Sequence, residues 1–442
     1  MRGALCVLLL GCHTTTASFE DASDTTPATD TTGSSSLGGE ANSTGSPASC
    51  EALTEGEEGP FLEWGARVSG TRRFCASARH AMSAPEGTLV ELGLLGWEGE
   101  GTAQVEVQDW NGGVLARGSY LEPDDRLEFE FPWSGEVLIE VGPDVLTDAE
   151  NSYELGLLCL ENCDHSGSRY PLVLMHGMAG TDAWLNVLEY WWEVPEHLEA
   201  HGFSVHAPAV DPFQPPEVRA AQWRAHLDDL HASGQARRFH LYGHSQGGLD
   251  ARWLTTHLDP EAQVQSVTTM ATPHRGSLTV DGIYGWFDLS IFGDEMIEAL
   301  ASLYADWVGA DTDQEVMEQL ESMTTVGAAT FNLETPDRPD VDYASWAGVT
   351  CGVLDLFCRA EREGEVVFAG LTVSQFMIGV LEGENDGLVS VESAIWGEFL
   401  GEVPADHLDE VGHLFGQTDA FDHLAFYLDE AERLASLERV TP

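Results

Sequence analysis

The residues of this 442-residue sequence most plainly arranged for chemistry are Gly243-His244-Ser245-Gln246-Gly247. They follow the segment Arg238–Tyr242, which reads as a strand, and open a helical pattern spanning Gly248–His257. A nucleophile on a strand-to-helix turn needs a strained backbone with its neighbours pressed close. Glycines two positions to either side remove the side chains that would clash. Serine is a weak nucleophile until a base takes its proton, and that base needs a third group to fix its tautomer. Where serine sits on such a turn, an acid and then a histidine follow it along the chain. Glu384–Ser390 and Asp406–Val411 supply candidates of the required types. His413 and His423 compete with His407 on residue type alone. The backbone N–H of Gln246, next to the nucleophile, is a candidate donor to a tetrahedral oxyanion.

The elements that must position these groups read as an α/β fold. Tyr170–Met175 is a continuous apolar run ending at His176-Gly177, and Phe203–Ala207 and Val264–Met270 are further strand candidates. Helical stretches are expected at Val187–His201 and Glu217–Ala232. Strands alternating with helices imply a mostly parallel sheet covered by helices on both faces. Residues 164–442 hold this domain. Residues 50–163 instead show short strand patterns at Thr88–Trp97, Gln104–Trp110, Val114–Tyr120, Arg126–Phe131, Glu136–Val141 and Tyr153–Leu160. Leu127, Phe129 and Phe131 alternate with Glu128 and Glu130, and Asn111-Gly112-Gly113 is a hairpin signal. A small antiparallel β-sandwich therefore precedes the α/β domain. It reads as a spacer or as a binding module.

Composition limits the partners. There are 75 acidic residues against 19 basic ones, all arginine, for a net charge of −56. Such a chain repels nucleic acid and anionic membrane surfaces. A saline or extracellular setting and a neutral compositional bias both account for the imbalance. Arg2, the apolar run Ala4–Leu10, Gly11 and Cys12 resemble a bacterial lipoprotein signal, which implies lipidation of Cys12, membrane anchoring through it, and export to the cell surface or outer membrane. Residues 1–12 would be signal and anchor. Residues 13–49, rich in Thr, Ser, Asp and Gly, bury too little to order themselves and read as a tether of roughly 35 Å. Cys50, Cys75, Cys159, Cys163, Cys351 and Cys358 suggest up to three disulfides, with Cys351 and Cys358 a natural local pair.

Six segments together carry a family resemblance. Tyr170–Asp182 (YPLVLMHGMAGTD), Leu241–Leu249 (LYGHSQGGL), Ala271–Ser277 (ATPHRGS), Tyr343–Gly348 (YASWAG), Asn385–Ser390 (NDGLVS) and His407–Val411 (HLDEV) resemble the true lipases of Pseudomonas and Burkholderia, in that family's order. The resemblance implies an α/β-hydrolase fold with Ser245, Asp386 and His407 as triad. It places the second oxyanion donor at the backbone N–H of Met178.

It also implies a structural calcium ion held by the carboxylates of Asp355 and Asp409 and the carbonyls of His413 and Gln417. Residues 359–365 lengthen the segment after Asp355, so Asp340 or Asp342 could serve instead. Hard oxygen ligands suit calcium, and no organic cofactor is implied. Residues 278–325 are dense in apolar and aromatic side chains, and Met296, Leu300, Leu303 and Trp307 share one helical face. There the family places a lid. The expected activity is hydrolysis of acylglycerol or other lipid esters by a monomer. Relatives often use a dedicated export foldase, a need this sequence does not reveal. Rival readings are a short-chain esterase, a polyester depolymerase or an acyltransferase of the same fold, or a catalytically silent surface-binding lipoprotein.

Overall fold

The computed structural model describes residues 61–63, 65–73, 77–98, 101–120, 126–143, 150–163, 168–178, 190–283, 314–351, 367–368, 371–418 and 421–438. The N-terminal part is a sandwich of two four-stranded antiparallel sheets. Their strands are β1 (Arg67–Arg73), β2 (Ala78–Ala84), β3 (Leu89–Glu98), β4 (Ala103–Gln108), β5 (Val114–Tyr120), β6 (Arg126–Glu130), β7 (Gly135–Pro143) and β8 (Glu150–Glu161). One sheet runs β1-β8-β3-β6 and the other β2-β7-β4-β5. Inward-facing residues such as Val90, Leu92, Val105, Val107, Ile139 and Leu155 form the shared core.

Six strands were expected, and eight are present among the described residues. Arg67–Arg73 carries one apolar side chain, and Ala78–Ala84 holds Arg79 and His80, so neither shows a hydrophobic period. His80 is nevertheless buried, its Nε2 at 2.8 Å from Tyr153 Oη. The hairpin signal at Asn111 is confirmed. Asp109 N–H donates to Gly113 O at 2.8 Å and Gly113 N–H returns to Asp109 Oδ1 at 2.7 Å, which stops β4 two residues short of its expected end. Cys159 and Cys163 are disulfide-bonded. Cys351 is also in a disulfide, whereas Cys358 lies outside the described residues.

The second part is a parallel six-stranded sheet of order β10-β9-β11-β12-β13-β14. These strands are β9 (Leu172–Met175), β10 (Val205–His206), β11 (Phe239–His244), β12 (Val264–Met270), β13 (Asp342–Gly348) and β14 (Glu398–Val403). Val187–His201, expected as one helix, is described as helical only at α1 (Val194–Ala200); α2 (Pro216–Ala232) and α3 (Gln246–His257) fall close to expectation. The remaining described helices are α4 (Leu278–Ile283), α5 (Gln314–Ser322), α6 (Thr325–Glu334), α7 (Thr372–Leu381), α8 (Val391–Ala394), α9 (His413–Gly416) and the long α10 (His423–Glu438). Although β9 is apolar throughout, it alternates. Leu172 and Leu174 pack with α1 and α10, and Val173 and Met175 pack with α2 and α3. Two faces covered by helices explain why its sequence shows no polar period. No described helix is long and apolar enough to cross a membrane.

The sandwich and the parallel-sheet body form one compact unit. Asn111 Nδ2 donates to the carbonyls of His231 and Ala232 at 3.1 and 3.0 Å, and the Arg237 guanidinium lies 4.2 Å from the Trp110 ring centroid. Gly234, with φ +79°, lies so close to Asp109 that a Cβ would meet its Cγ at 2.9 Å. At the centre of the seam, Arg169 Nη2 pairs with buried Glu136 at 2.7 Å, and Arg237 Nε stands 3.6 Å from the same carboxylate. Glu438 of α10 accepts the N–H groups of Arg169 and Tyr170 at 2.8 and 3.0 Å and faces His240 Nε2 at 3.0 Å.

Removing one partner of a buried pair strands the other charge. Arg169→Ala is therefore expected to cost about 3 kcal/mol in urea unfolding. Tryptophan fluorescence and far-UV circular dichroism should trace one shared transition; two separated transitions would contradict this seam.

Candidate active site

Ser245 stands between β11 and α3 with φ 55° and ψ −127°, a backbone region that residues with side chains avoid at a cost of about 1–3 kcal/mol. The surroundings enforce it. A Cβ on Gly243 would lie 2.4 Å from Gly248 N, one on Gly247 would lie 2.0 Å from Met175 O, and one on Gly248 would lie 2.1 Å from Thr272 Oγ1. Ser245 N–H donates to Met270 O at 2.9 Å, and Thr272 Oγ1 donates to Ser245 O at 2.7 Å. Both flanking peptides are thus anchored to β12 and the residues just after it.

Asp386 and His407 are brought together. His407 Nδ1 lies 2.7 Å from Asp386 Oδ2, and its main-chain N–H donates to Asp386 O at 2.9 Å. Asp386 Oδ1 accepts from Leu388 and Val389 N–H at 2.8 and 2.7 Å, so the carboxylate is oriented before the histidine meets it. An accepting carboxylate at Nδ1 leaves Nε2 as the basic nitrogen. Asp406 shapes the next turn, taking Leu408 and Asp409 N–H on Oδ1 at 2.9 and 3.0 Å and Phe368 N–H on Oδ2 at 2.6 Å. The competing histidines are engaged elsewhere. His413 packs edge-on against Tyr190, and His423 Nε2 lies 3.0 Å from Trp192 O.

Ser245 and His407 line one cavity with Met178, Pro273, Val280, Ile283, Leu320, Met323, Leu388 and Val389. Its empty volume, counted to the open mouth, is about 540 Å³. The wall is chiefly apolar, as an acyl chain requires. Ile283 ends α4 (Leu278–Ile283), and Leu320 lies on α5 (Gln314–Ser322). The expected lid residues Met296, Leu300, Leu303 and Trp307 lie between these helices, outside the described residues.

The loop after β9 is held from behind by a side chain that sequence reasoning missed. Arg219 of α2 is fully buried and pairs with Asp250 at 2.7 Å. Its other nitrogens donate to the carbonyls of His176 and Gly177. His176 Nε2 accepts Val210 N–H at 3.0 Å, so its proton sits on Nδ1 and points at Gly177 O, 2.9 Å away. In a trans peptide the N–H opposes the C=O. Fixing Gly177 O toward Arg219 and His176 therefore turns Met178 N–H the opposite way. Gln246 begins α3, where main-chain N–H groups lack intrahelical partners. Its side chain is tied to Gln214 O at 2.9 Å and to Gln319 Nε2 at 2.5 Å.

A second missed group is Glu410, fully buried beside the histidine. Its Oε2 is 2.8 Å from His244 Nε2 and 3.9 Å from His407 Nδ1. Burial, then the neighbouring carboxyls of Asp386 and Asp406, hold its pKa well above the usual carboxylate range. Burial likewise keeps His244 neutral. Only tertiary contact identifies Glu410, since it follows Asp409 with no spacing signal of its own.

Of the expected calcium ligands, Asp409 opens a 3-10 turn (Asp409–Val411) two residues past His407 and is 6% exposed. His413 and Gln417 bracket the short helix α9 (His413–Gly416). One carboxylate and two carbonyls are hard oxygen donors, a chemistry that fits calcium. Asp355 and Cys12 lie outside the described residues. Asp340 and Asp342 do not substitute for Asp355. Both sit at the start of β13, about 20 Å along the strand from Gly348, the end that abuts Glu410. Asp340 is paired with Arg338 there.

The buried histidine of the β9 loop makes stability depend on pH. Burial first, and Arg219 second, push the His176 pKa down to about 3. Below about pH 6.5 an unfolded chain would protonate it, so the unfolded state binds more protons and stability falls as pH falls. At pH 5 this residue costs about 2 kcal/mol. Asp250, raised to about 6 chiefly by burial, works in the opposite sense, its contribution falling as pH rises through its range. The test is therefore differential. Between pH 7 and pH 5, His176→Asn should lose less stability in urea titrations than the unsubstituted protein; equal losses would refute the assignment.

Residues 171–317 match the palmitoyl protein thioesterase family model. The chain is 30% identical over 296 residues to a triacylglycerol lipase of Pseudarthrobacter phenanthrenivorans, covering 57% of this chain and 91% of that one. It is 30% identical over 296 residues to the Burkholderia plantarii enzyme of the same name, covering 57% and 81%. The Pseudomonas fragi enzyme is 28% identical over 299 residues, covering 61% and 98%. Among solved structures, a Bacillus licheniformis lipase superposes with a TM-score of 0.41 at 23% identity, covering 55% of this chain and 88% of that one. By this similarity, the chain belongs to the triacylglycerol lipase family and is a serine ester hydrolase of the α/β-hydrolase fold.

Proposed function

We propose that the protein hydrolyses triacylglycerol and related lipid esters through an acyl-enzyme on Ser245. The observation that carries this reading is the 2.7 Å His407–Asp386 contact, with His407 and Ser245 on the wall of the same apolar cavity. In the proposed cycle His407 Nε2 takes the Ser245 proton as Oγ attacks the ester carbonyl. The oxyanion is received by the N–H groups of Met178 and Gln246. His407 then gives the proton to the leaving alcohol. Water, deprotonated by the same nitrogen, releases the fatty acid. Each preorganised donor is worth roughly 3–4 kcal/mol in reactions of this class.

Calcium, when bound through Asp409, Asp355 and the carbonyls of His413 and Gln417, would supply a structural tie and no proton chemistry. Asp409 would fix the turn that carries His407. Lipidation at Cys12, with residues 13–49 as tether, would hold the enzyme at a cell surface.

Ser245→Ala or His407→Ala should each lower kcat for triacylglycerol by about 10⁶-fold and abolish labelling by a fluorophosphonate. Equal labelling of Ser245→Ala and unsubstituted protein would sink the mechanism. A preference for short soluble esters, with no gain at an emulsion surface, would favour an esterase instead. Chelation should lower the melting temperature by about 5 °C, and Asp409→Asn should remove that response. An unaltered melting curve in chelator would refute the calcium assignment.

A further inference from the structure

Gly177 has two main-chain polar groups, and Arg219 and His176 account only for its carbonyl. Its N–H donates to Tyr190 Oη at 2.9 Å. Tyr190 Oη in turn lies 2.6 Å from His244 Nδ1, and His244 Nε2 lies 2.8 Å from Glu410 Oε2. One direction of donation satisfies the whole chain. Gly177 N–H and the tyrosine hydroxyl proton point toward His244, whose own proton on Nε2 points to Glu410. The packing leaves this arrangement little freedom. A Cβ on Gly177 would meet both Tyr190 Oη and Ser245 Cβ at 2.7 Å. The tyrosine ring is gripped edge-on by Trp191 and His413, with centroids 5.4 and 4.9 Å away.

We propose that Tyr190 is a positioning residue for ester hydrolysis: its hydroxyl hangs the oxyanion loop from the buried His244–Glu410 pair. Because His244 precedes the nucleophile and Glu410 adjoins Asp386, the loop donor and the base then share one fixed frame. The inference rests on the acyl-enzyme reading above. It assigns Tyr190 no contact with substrate: the hydroxyl acts through the Gly177 amide, and the ring packs 5.5 Å from the His176 ring.

Transition-state binding should suffer while ground-state binding does not. Tyr190→Phe keeps the ring and removes the hydroxyl. It should lower kcat about 10- to 100-fold with KM changed less than about twofold. Affinity for an alkylboronic acid, which forms a tetrahedral anion on the serine, should fall by the same factor as kcat. Rates are expressed per active site by fluorophosphonate titration, so partial misfolding does not enter them. His244→Gln removes the acceptor by a second route. If the hydroxyl acts through His244, the double variant should lose little more than the worse single variant. A kcat within twofold of the unsubstituted protein, or losses that multiply in the double variant, would overturn the proposal. Ester hydrolysis that survives Ser245→Ala would instead mark failure of the underlying acyl-enzyme reading.

Discussion

The active site depends on one unfavourable backbone conformation. Ser245 holds φ at 55° in a turn packed so closely that side chains at Gly243, Gly247 and Gly248 would clash with it. Gly243, Gly247 and Gly248 let β9, β11 and the Thr272 segment close to within van der Waals contact of the turn. Two hydrogen bonds then pin its flanking peptides. The parallel sheet is the reason this works. Neighbouring strands β9 and β12 present Met175 O and Met270 O on either side of β11, so the turn is braced across the sheet.

Around that turn, the charged groups are used as internal ties. Arg219, one of only 19 basic residues in a chain of net charge −56, is spent entirely inside the protein. A fully buried ion pair with Asp250 offers little net stability. Its value here is geometric, since the same guanidinium grips two consecutive carbonyls of the loop after β9. Acidic groups are treated alike. Asp386 and Asp406 each take main-chain N–H groups on one oxygen and reach a second element with the other.

Much of this could be read from residues alone, and the reasons are local. The glycine spacing around Ser245 reports steric need directly, and the β-branched Val264, Val267, Thr268 and Thr269 mark a strand, Val264–Met270, whose bounds match. Asp386 was reached through its motif and not through any general rule, since acidic residues are abundant. β1 and β2 escape notice because their sequences carry no hydrophobic period, and β14 (EFLGEV) because it has a single buried residue, Val403. Arg219, Tyr190 and Glu410 were illegible for another reason. Each works through partners that are distant in sequence, and such pairings leave no periodic trace.

The seam between sandwich and sheet bears on how the chain is made. Glu438 meets Arg169 and Tyr170 across sequence separations of 269 and 268 residues. A polypeptide emerging from a ribosome or an export channel would complete both sandwich sheets long before that glutamate exists. The sandwich, whose strand pairings fall within about a hundred residues, could therefore fold early and wait. The enzyme body's own closure comes last, because Glu438 ties the first residues of that part, Arg169 and Tyr170, to its final helix, and closing so long a loop is a slow, late event.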